Sequence, residues 1–485
     1  MRALRSFWRW FDDRTGTSSL LQQTVGHLVP PDTNWWYVFG SATLTAFLIQ
    51  VATGTALATM YVPSTGHAYD TLQFITRDAW LGNFLRGLHY FAASAMILFI
   101  GIHMIRVFLM GAYKYPREMS WLSGVLLLGV TVVMGFTGQL LRWDQDAVWS
   151  IFVAAEQAGR VPFIGKSLAH FIMAGDTVGG AILIRFFAFH VFFVPALIFA
   201  AVPLHLYLVL RNGISEPPKP GRTVDPANYR AWYADLLKRE GRPFWPDAAW
   251  RDVTFGFAMV VVLAALAISI GPPELGKAPD PTILKASPRP DWYLLWYFAV
   301  LALLPHGLES YVIVGAPLAA GLVLVALPFV FPRGERHPSR RPWAVAVVVL
   351  VGLMVGTLWI AGIKQHWTPD FSARPLAAEV VGSREGAVAQ GAEVFFRKSC
   401  IFCHRVEDDG GYRGPDLSTV GDRLTRNQIV ARILNGGANM PAYAADLQAV
   451  ELEQLVAFLQ SRSRRRSLSG KPSEQPAPSQ FHRLP

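Results

Sequence analysis

Four histidines occupy two apolar stretches of the chain, His89 with His103 and His190 with His205, spaced 14 and 15 residues apart. Four turns of α-helix take ~14.4 residues, so each pair lies on one helix face with ~21 Å between its members along the axis. Neutral imidazoles are good metal ligands, and two of them from facing helices can hold one haem iron. Taking the two helices as antiparallel neighbours, His89 is expected to meet His190 near the outer membrane surface and His103 to meet His205 near the inner one. That arrangement would hold two non-covalent b haems. Glycines match it: Gly40 with Gly54, and Gly124 with Gly138, are each 14 residues apart in the apolar stretches that precede the histidine pairs. Those stretches run opposite to the histidine helices, so Gly54 and Gly138 fall at the outer level and Gly40 and Gly124 at the inner. Without a Cβ, each lets a flat macrocycle press against the helix backbone. A single buried histidine could simply hydrogen-bond a neighbour, and glycine also serves helix packing in membranes. Two histidine pairs matched in depth by two glycine pairs favour the haem reading, because ionisable groups within a membrane mark functional sites.

A third iron is indicated near the other end of the chain. Its only two cysteines stand as Cys400-Ile401-Phe402-Cys403-His404. This is the attachment signature of a covalent c haem, two thioether bonds with a proximal histidine ligand. Gly414-Pro415-Asp416-Leu417 follows where class I cytochromes c carry a similar turn, and Met440-Pro441 offers the sixth ligand. Thioether ligation raises the potential of such a centre. Two cysteines and one histidine are too few for a structural zinc site, which takes about four ligands. No cysteine is left over for an iron–sulfur cluster or a disulfide framework.

These residues need a membrane to position them. The 485 residues are 52% hydrophobic and 16% charged, with 16 Trp; a soluble enzyme would carry nearer ~25% charged residues. Stretches long enough to cross ~30 Å of hydrocarbon occur at about Trp36–Met60, Phe84–Met110, Trp121–Leu141, Phe186–Leu210, Val253–Ile270, Val312–Phe331 and Trp343–Ile363. The net charge of +10 lies between these stretches and in a late cluster, and reads as loop charge, not a nucleic-acid surface. Arg2, Arg5, Arg9, Arg14, Lys114, Arg117, the connector from Arg211 to Arg251, and Arg333 to Arg341 all fall on one side of a seven-crossing bundle. By the positive-inside rule that side is cytoplasmic, which places everything after Ile363 outside. The N-terminus has no pattern of a removable signal peptide.

The stretch from Asn34 to Gly54, the segment Lys114-Tyr115-Pro116-Arg117-Glu118, the triplet Trp143-Asp144-Gln145 and Arg185 five residues before His190 closely resemble cytochrome b of the chloroplast-type cytochrome bf complex. The spacing of the second histidine pair matches that branch too. Residues from about Trp245 to Ile363, with Arg340-Arg341-Pro342 opening the last helix, resemble subunit IV of the same complex, here joined in one polypeptide. The resemblance implies that Arg86 and Arg185, just before the outer haem ligands, pair with haem propionates; the plainer alternative is snorkelling to the interface. It implies quinol oxidation at the outer side, where the family's Pro-Glu-Trp-Tyr motif stands here as Pro290-Asp291-Trp292-Tyr293. Asp291 is then the proton acceptor, because a desolvated carboxylate gains affinity for a proton. Otherwise it only caps the following helix. Tyr293 is a candidate for hydrogen bonding the quinol, and His306 and Glu309 are weaker candidates for relaying protons. The family's cysteine that attaches an extra haem near the inner quinone site is replaced by Val38, so that haem is expected to be absent or held differently.

The expected fold class is all-α: a multi-pass bundle of about seven transmembrane helices with a di-haem four-helix core, plus a small soluble helical cytochrome c domain. The expected divisions are 1–215, an N-terminal di-haem domain; 216–363, a subunit IV-like domain; 364–384, a linker; 385–462, the cytochrome c domain; and 463–485, a disordered basic tail. The function implied is that of a quinol:cytochrome c oxidoreductase subunit in a bacterial cytoplasmic membrane. A Rieske iron–sulfur protein would take the first electron, and the fused domain would pass electrons to a mobile cytochrome c carrier or an oxidase. A homodimer is implied by the resemblance alone. The rival readings are a di-haem membrane anchor of another quinone-linked oxidoreductase and a passive electron conduit.

Overall fold

The computed structural model describes residues 2–174, 180–279, 290–304, 308–364, 370, 373–411, 414–435, 440, 443–444 and 446–463. His306, the side chain of Glu309, part of the expected linker and the basic tail from residue 464 lie outside the described residues. Two compact units are present: Met1–Pro279 with Leu303–Gly356, and Asp280–Ala302 with Thr357–Pro485.

All seven expected crossings are helices: α1 (Phe39–Ala58), α2 (Gly82–Leu109), α3 (Glu118–Leu140), α4 (Gly180–Asn212), α5 (Ala249–Ser269), α6 (Glu309–Val330) and α7 (Pro342–Lys364). Each is long and apolar enough to span a bilayer, where a helix alone can satisfy every backbone group within its own segment. In the first unit α1 packs along α2, α3 along α4, and α5 against both α1 and α2. Small residues allow the close approach: Ala42, Ala46, Ala92 and Ala95 are buried around Phe47, Met96, Val194, Ile198, Met259 and Leu263. Among the described residues, extended pairing is confined to three two-residue antiparallel ladders, Leu28–Val29 with Arg242–Pro243, Thr223–Val224 with Gly334–Glu335, and Arg405–Val406 with Asp409–Gly410.

One expectation needs correction. The helices carrying the histidine pairs are not antiparallel neighbours. α2 and α4 have one crossing, α3, between them and so run in the same sense, and each packs mainly on a glycine-bearing helix instead of on the other. Running in the same sense is what brings the earlier histidine of each pair to one level and the later to the other.

The basic loops gather at one end of the first unit, and their buried cations are used to close helix ends. Arg117 donates to the Gly213 carbonyl just past α4 at 2.8 Å, Arg341 to Phe108 O at the end of α2 at 3.1 Å, and Lys114 to Phe331 O after α6 at 2.9 Å. Cations at the carbonyl ends of helices are favoured by both the orphan acceptors and the helix dipole. Arg336 pairs with the buried Glu216, which also accepts from Tyr229 Oη at 2.8 Å. At the other end Asp144, fully buried, ties its own turn to one distant segment. It accepts from Ala147 N at 2.9 Å, from Arg142 at 2.6 Å and from Gly276 N at 3.0 Å.

In the second unit, α8 (Gly386–Arg397) crosses α10 (Ala449–Gln460), with α9 (Arg426–Asn435) beside the latter. Gly391 makes the crossing possible, since a Cβ there would overlap the Gln454 carbonyl. Phe395 and Phe458 meet at 5.5 Å in a core with Ile401, Val406, Ile429, Ile433 and Leu455. The helix Leu295–Leu303 packs on the end of α7: Trp359 Nε1 donates to Trp292 O at 2.9 Å, and a Cβ at Gly362 would come within 2.7 Å of Leu295 O.

Candidate functional site

The His89 and His190 rings face one another with centres 6.3 Å apart and planes at 77°. Imidazoles on opposite sides of one metal ion, with metal–nitrogen bonds of about 2 Å, put their ring centres about 6 Å apart. The spacing therefore fits two nitrogens on one iron. A glycine backs each ring: a Cβ at Gly54 would lie 3.1 Å from His89 Cε1, and one at Gly138 would lie 2.6 Å from His190 Cε1. His103 and His205 line one cavity of about 440 Å³ between the first four helices, within ligand-pocket size. Gly40 and Gly124 back them, with Cβ positions 3.2 Å and 3.5 Å from the two Cε1 atoms. Each of these glycines thus lies against the ring of its histidine, and at the His103–His205 level the two side chains and the cavity between them fit a macrocycle.

The two pairs differ by one residue in spacing, and the backbone absorbs the difference. Phe189–Phe193 forms a π-turn, closed by Val194 N–H to Phe189 O, with His190 inside it. A π-turn takes up one residue more than an α-turn, so the 15-residue interval in α4 covers the same four turns as 14 residues in α2. Pro195 lies next in the chain and has no N–H to give to Val191, which disfavours a regular ladder here.

Nδ1 partners orient the rings. Thr53 Oγ1 lies 2.9 Å from His89 Nδ1, Ser123 Oγ lies 2.8 Å from His205 Nδ1, and Thr137 Oγ1 and Met134 O each lie 3.2 Å from His190 Nδ1. An Nδ1–H donated in this way leaves Nε2 bare for a metal. The hydroxyls were not singled out in the sequence reading. Arg86 is buried and donates to Thr76 Oγ1 at 3.0 Å and to Pro273 O at 2.7 Å, so it does not snorkel. Arg185 donates to Phe171 O and lies over the Phe171 ring.

In the second unit Asp291 takes the N-cap position of the turn Trp292–Leu294, and its side chain makes no capping bond. The Tyr293 hydroxyl is buried beside the Asp291 carboxylate. Burial, and then the Asp291 charge, push its phenol above the usual range.

The Cys-x-x-Cys-His turn begins with a short helical turn, Cys400–Phe402. His404 Nδ1 sits 2.8 Å from Pro415 O, so Nδ1–H donates and Nε2 is free to ligate. A Cβ at Gly414 would strike the His404 ring, and Gly414 N donates to Cys403 O at 2.6 Å. Burial, with Cys403 beside it, pushes the Cys400 thiol up to about 12, and burial pulls the His404 imidazolium down. Both shifts favour uncharged groups, as an apolar haem crevice requires. Tyr443 Oη donates to Lys398 O at 3.2 Å, which ties the segment after Met440 to the start of this turn.

Residues 24–213 match the family model "Cytochrome b/b6/petB", and residues 386–459 match "Cytochrome C oxidase, cbb3-type, subunit III". The chain is 36% identical over 208 residues to the cytochrome b6 of Synechococcus elongatus, which is 43% of this chain and 97% of that protein. The cytochrome b6 of Mastigocladus laminosus is 37% identical over the same length and shares. Among solved structures, a chain of a "Hyperthermophilic respiratory Complex III" superposes with a TM-score of 0.63 at 24% identity, covering 81% of this chain and 97% of that one. This last likeness is one of fold, and it extends beyond the segment matched by the sequence relatives.

Proposed function

This chain belongs to the cytochrome b/b6 family and carries a fused cytochrome c domain, and from that premise we propose that it is the quinol-oxidising cytochrome b subunit of a cytochrome bc-type complex. His89 with His190 and His103 with His205 would each hold one non-covalent b haem. Gly54, Gly138, Gly40 and Gly124 make room for the macrocycles, and Arg86 and Arg185 pair with propionates of the outer one. Cys400 and Cys403 would anchor the c haem, and His404 and Met440 would ligate its iron. Bound haems accept and pass on single electrons.

The rest of the chemistry falls to side chains. Oxidising a quinol releases two protons and two electrons. Asp291 takes a proton at its carboxylate, and Tyr293, kept protonated by its surroundings, hydrogen-bonds a quinol oxygen. A separate Rieske protein is the proposed first acceptor, and the haems that the two histidine pairs would hold would supply the redox chemistry for the second electron. The fused domain then works at high effective concentration beside its donor and passes electrons to a soluble carrier or an oxidase. We place the basic loops and the N-terminus in the bacterial cytoplasm, the c domain outside, and the subunit in a homodimer. The proposed domains are 1–215, 216–363 and 385–462, with 364–384 as linker and 463–485 as tail.

The observation that carries this reading is the 6.3 Å separation of two crossed imidazoles, each backed by glycine. Reduced-minus-oxidised spectra of the purified complex should show b and c haem in a ratio of two to one, both reduced on adding quinol. A preparation with one b haem, or none, overturns it. The glycines give a sharper check. Gly138→Ala forces a methyl group into the His190 ring and should cost roughly tenfold to a hundredfold in haem retention at that centre. Gly129→Ala on the same helix meets nothing within 4 Å and should leave the spectrum unchanged.

A further inference from the structure

Ahead of the first crossing the chain forms a helix, Arg2–Thr15, that ends on a left-handed turn at Gly16, with φ +65°. Leu4, Phe7, Trp8 and Phe11 recur at the spacing of one helix face. All four are exposed, Leu4 by 77% and Phe7 by 61%. Phe7 and Phe11 stack at 6.3 Å and Trp8 meets Phe11 at 6.1 Å, so the face is one continuous apolar surface. At 14 residues the helix is about 21 Å long, too short to cross a bilayer. Its opposite face is cationic: Arg5 and Arg9 stand exposed one turn apart. The acids lie at the far end and are engaged there. Asp12 accepts from Ser18 N at 2.5 Å, and Asp13 pairs with Arg14 at 3.6 Å. The Arg14 guanidinium lies over the Trp10 ring at 4.8 Å, a cation laid along an apolar edge.

The chain then joins the basic-loop end of the first unit, where Val25 O accepts from Trp245 N at 3.1 Å and His27 O from Phe244 N at 2.8 Å. Trp35, Trp36, Trp245 and Trp250 are exposed at that end, beside the first turns of α1 and α5. Indoles so placed mark the level of the lipid headgroups. We propose that Arg2–Thr15 is an in-plane membrane anchor. Its aromatic face sinks into the leaflet at the basic-loop end, and Arg5 and Arg9 engage the phosphates of anionic lipids. Charge and place both favour lipid over a second protein: the arginines border the apolar face, and the Val25 and His27 bonds hold the segment after the helix at the level of the tryptophans. Binding of this kind combines buried apolar area with attraction to anionic headgroups.

A nitroxide attached to the full chain through Phe7→Cys or Arg9→Cys tests this in the complex reconstituted into bilayers, with the unsubstituted protein as the blank for Cys400 and Cys403. In bilayers containing phosphatidylglycerol, the label at position 7 should collide with oxygen, which concentrates among acyl chains. The label at position 9 should collide with a water-soluble nickel chelate. Combining Arg5→Gln and Arg9→Gln, with the label at position 7, should shift the ratio of lipid-bound to free helix about 25-fold toward water, at roughly fivefold per charge. Neutral phosphatidylcholine bilayers should produce a shift in the same direction without any substitution. Phe11→Cys takes the same reading should Phe7→Cys fail to assemble, and the haem spectrum certifies assembly of each variant. A label at position 7 open to the chelate in anionic bilayers would overturn the proposal. So would one closed to both probes, as against a second copy or another subunit, or one equally deep in neutral and anionic bilayers.

Discussion

A protein in which leucine replaces His190 should lose one b-type centre while keeping the other and the c haem. Leucine fills similar volume and offers no lone pair, so the iron at the His89 level would keep one ligand and the macrocycle would lose its second anchor. The other centre depends on different groups. His103 and His205 lie in their own cavity and are backed by Gly40 and Gly124, at the far end of helices that continue undisturbed. Quinol-driven electron transfer should fall by more than the roughly hundredfold that loss of a merely supporting residue commands. The measurement is the b-to-c ratio in the reduced spectrum, with the low-spin signals counted by electron paramagnetic resonance. If His190 were only a packing residue with a satisfied nitrogen, both b centres would survive the substitution and the ratio would not change.

The features read correctly from the sequence are those written in periodicity. Seven apolar runs gave seven helices, and 14-residue intervals put Gly54 against His89 and Gly124 against His205. What could not be read this way depends on backbone geometry between distant segments. The relative sense of α2 and α4 follows from counting crossings, and a pairwise view of the histidine helices as neighbours got it wrong. The π-turn at Phe189–Phe193 is invisible to a 3.6-residue repeat, although the extra residue between His190 and His205 and the nearby Pro195 were its traces. Asp144, three residues past Leu141, looked like part of a motif, and its work as a fully buried acceptor for Gly276 N depends on a segment 132 residues away. The hydroxyls at positions 53, 123 and 137 had a signal in plain view, the residue before each spaced glycine, which becomes legible once the direction of each Nδ1–H is asked.

Asp291→Asn should slow quinol oxidation by about 10²–10⁴-fold, the range expected when a positioned general base is removed, with all haem bands unchanged. The amide keeps the size and one acceptor oxygen of the carboxylate and gives up its charge and its capacity to take a proton. Loss of a cap cannot account for such an effect, because the Asp291 side chain makes no capping bond to the turn it precedes. Nor is the turn held by that side chain alone: Trp359 Nε1 grips the Trp292 carbonyl and Leu295 lies close against Gly362. Tyr293 cannot substitute as the base. Its phenol, raised by burial and by the Asp291 charge, stays protonated at neutral pH and has no basic site to take the quinol proton. Asp291→Glu, which restores a carboxylate on a longer arm, should recover most of the rate. The decisive measurement is steady-state quinol oxidation in the two variants at matched haem content. An asparagine variant as fast as the parent, or a glutamate variant as slow as the asparagine one, would remove Asp291 from the proton path.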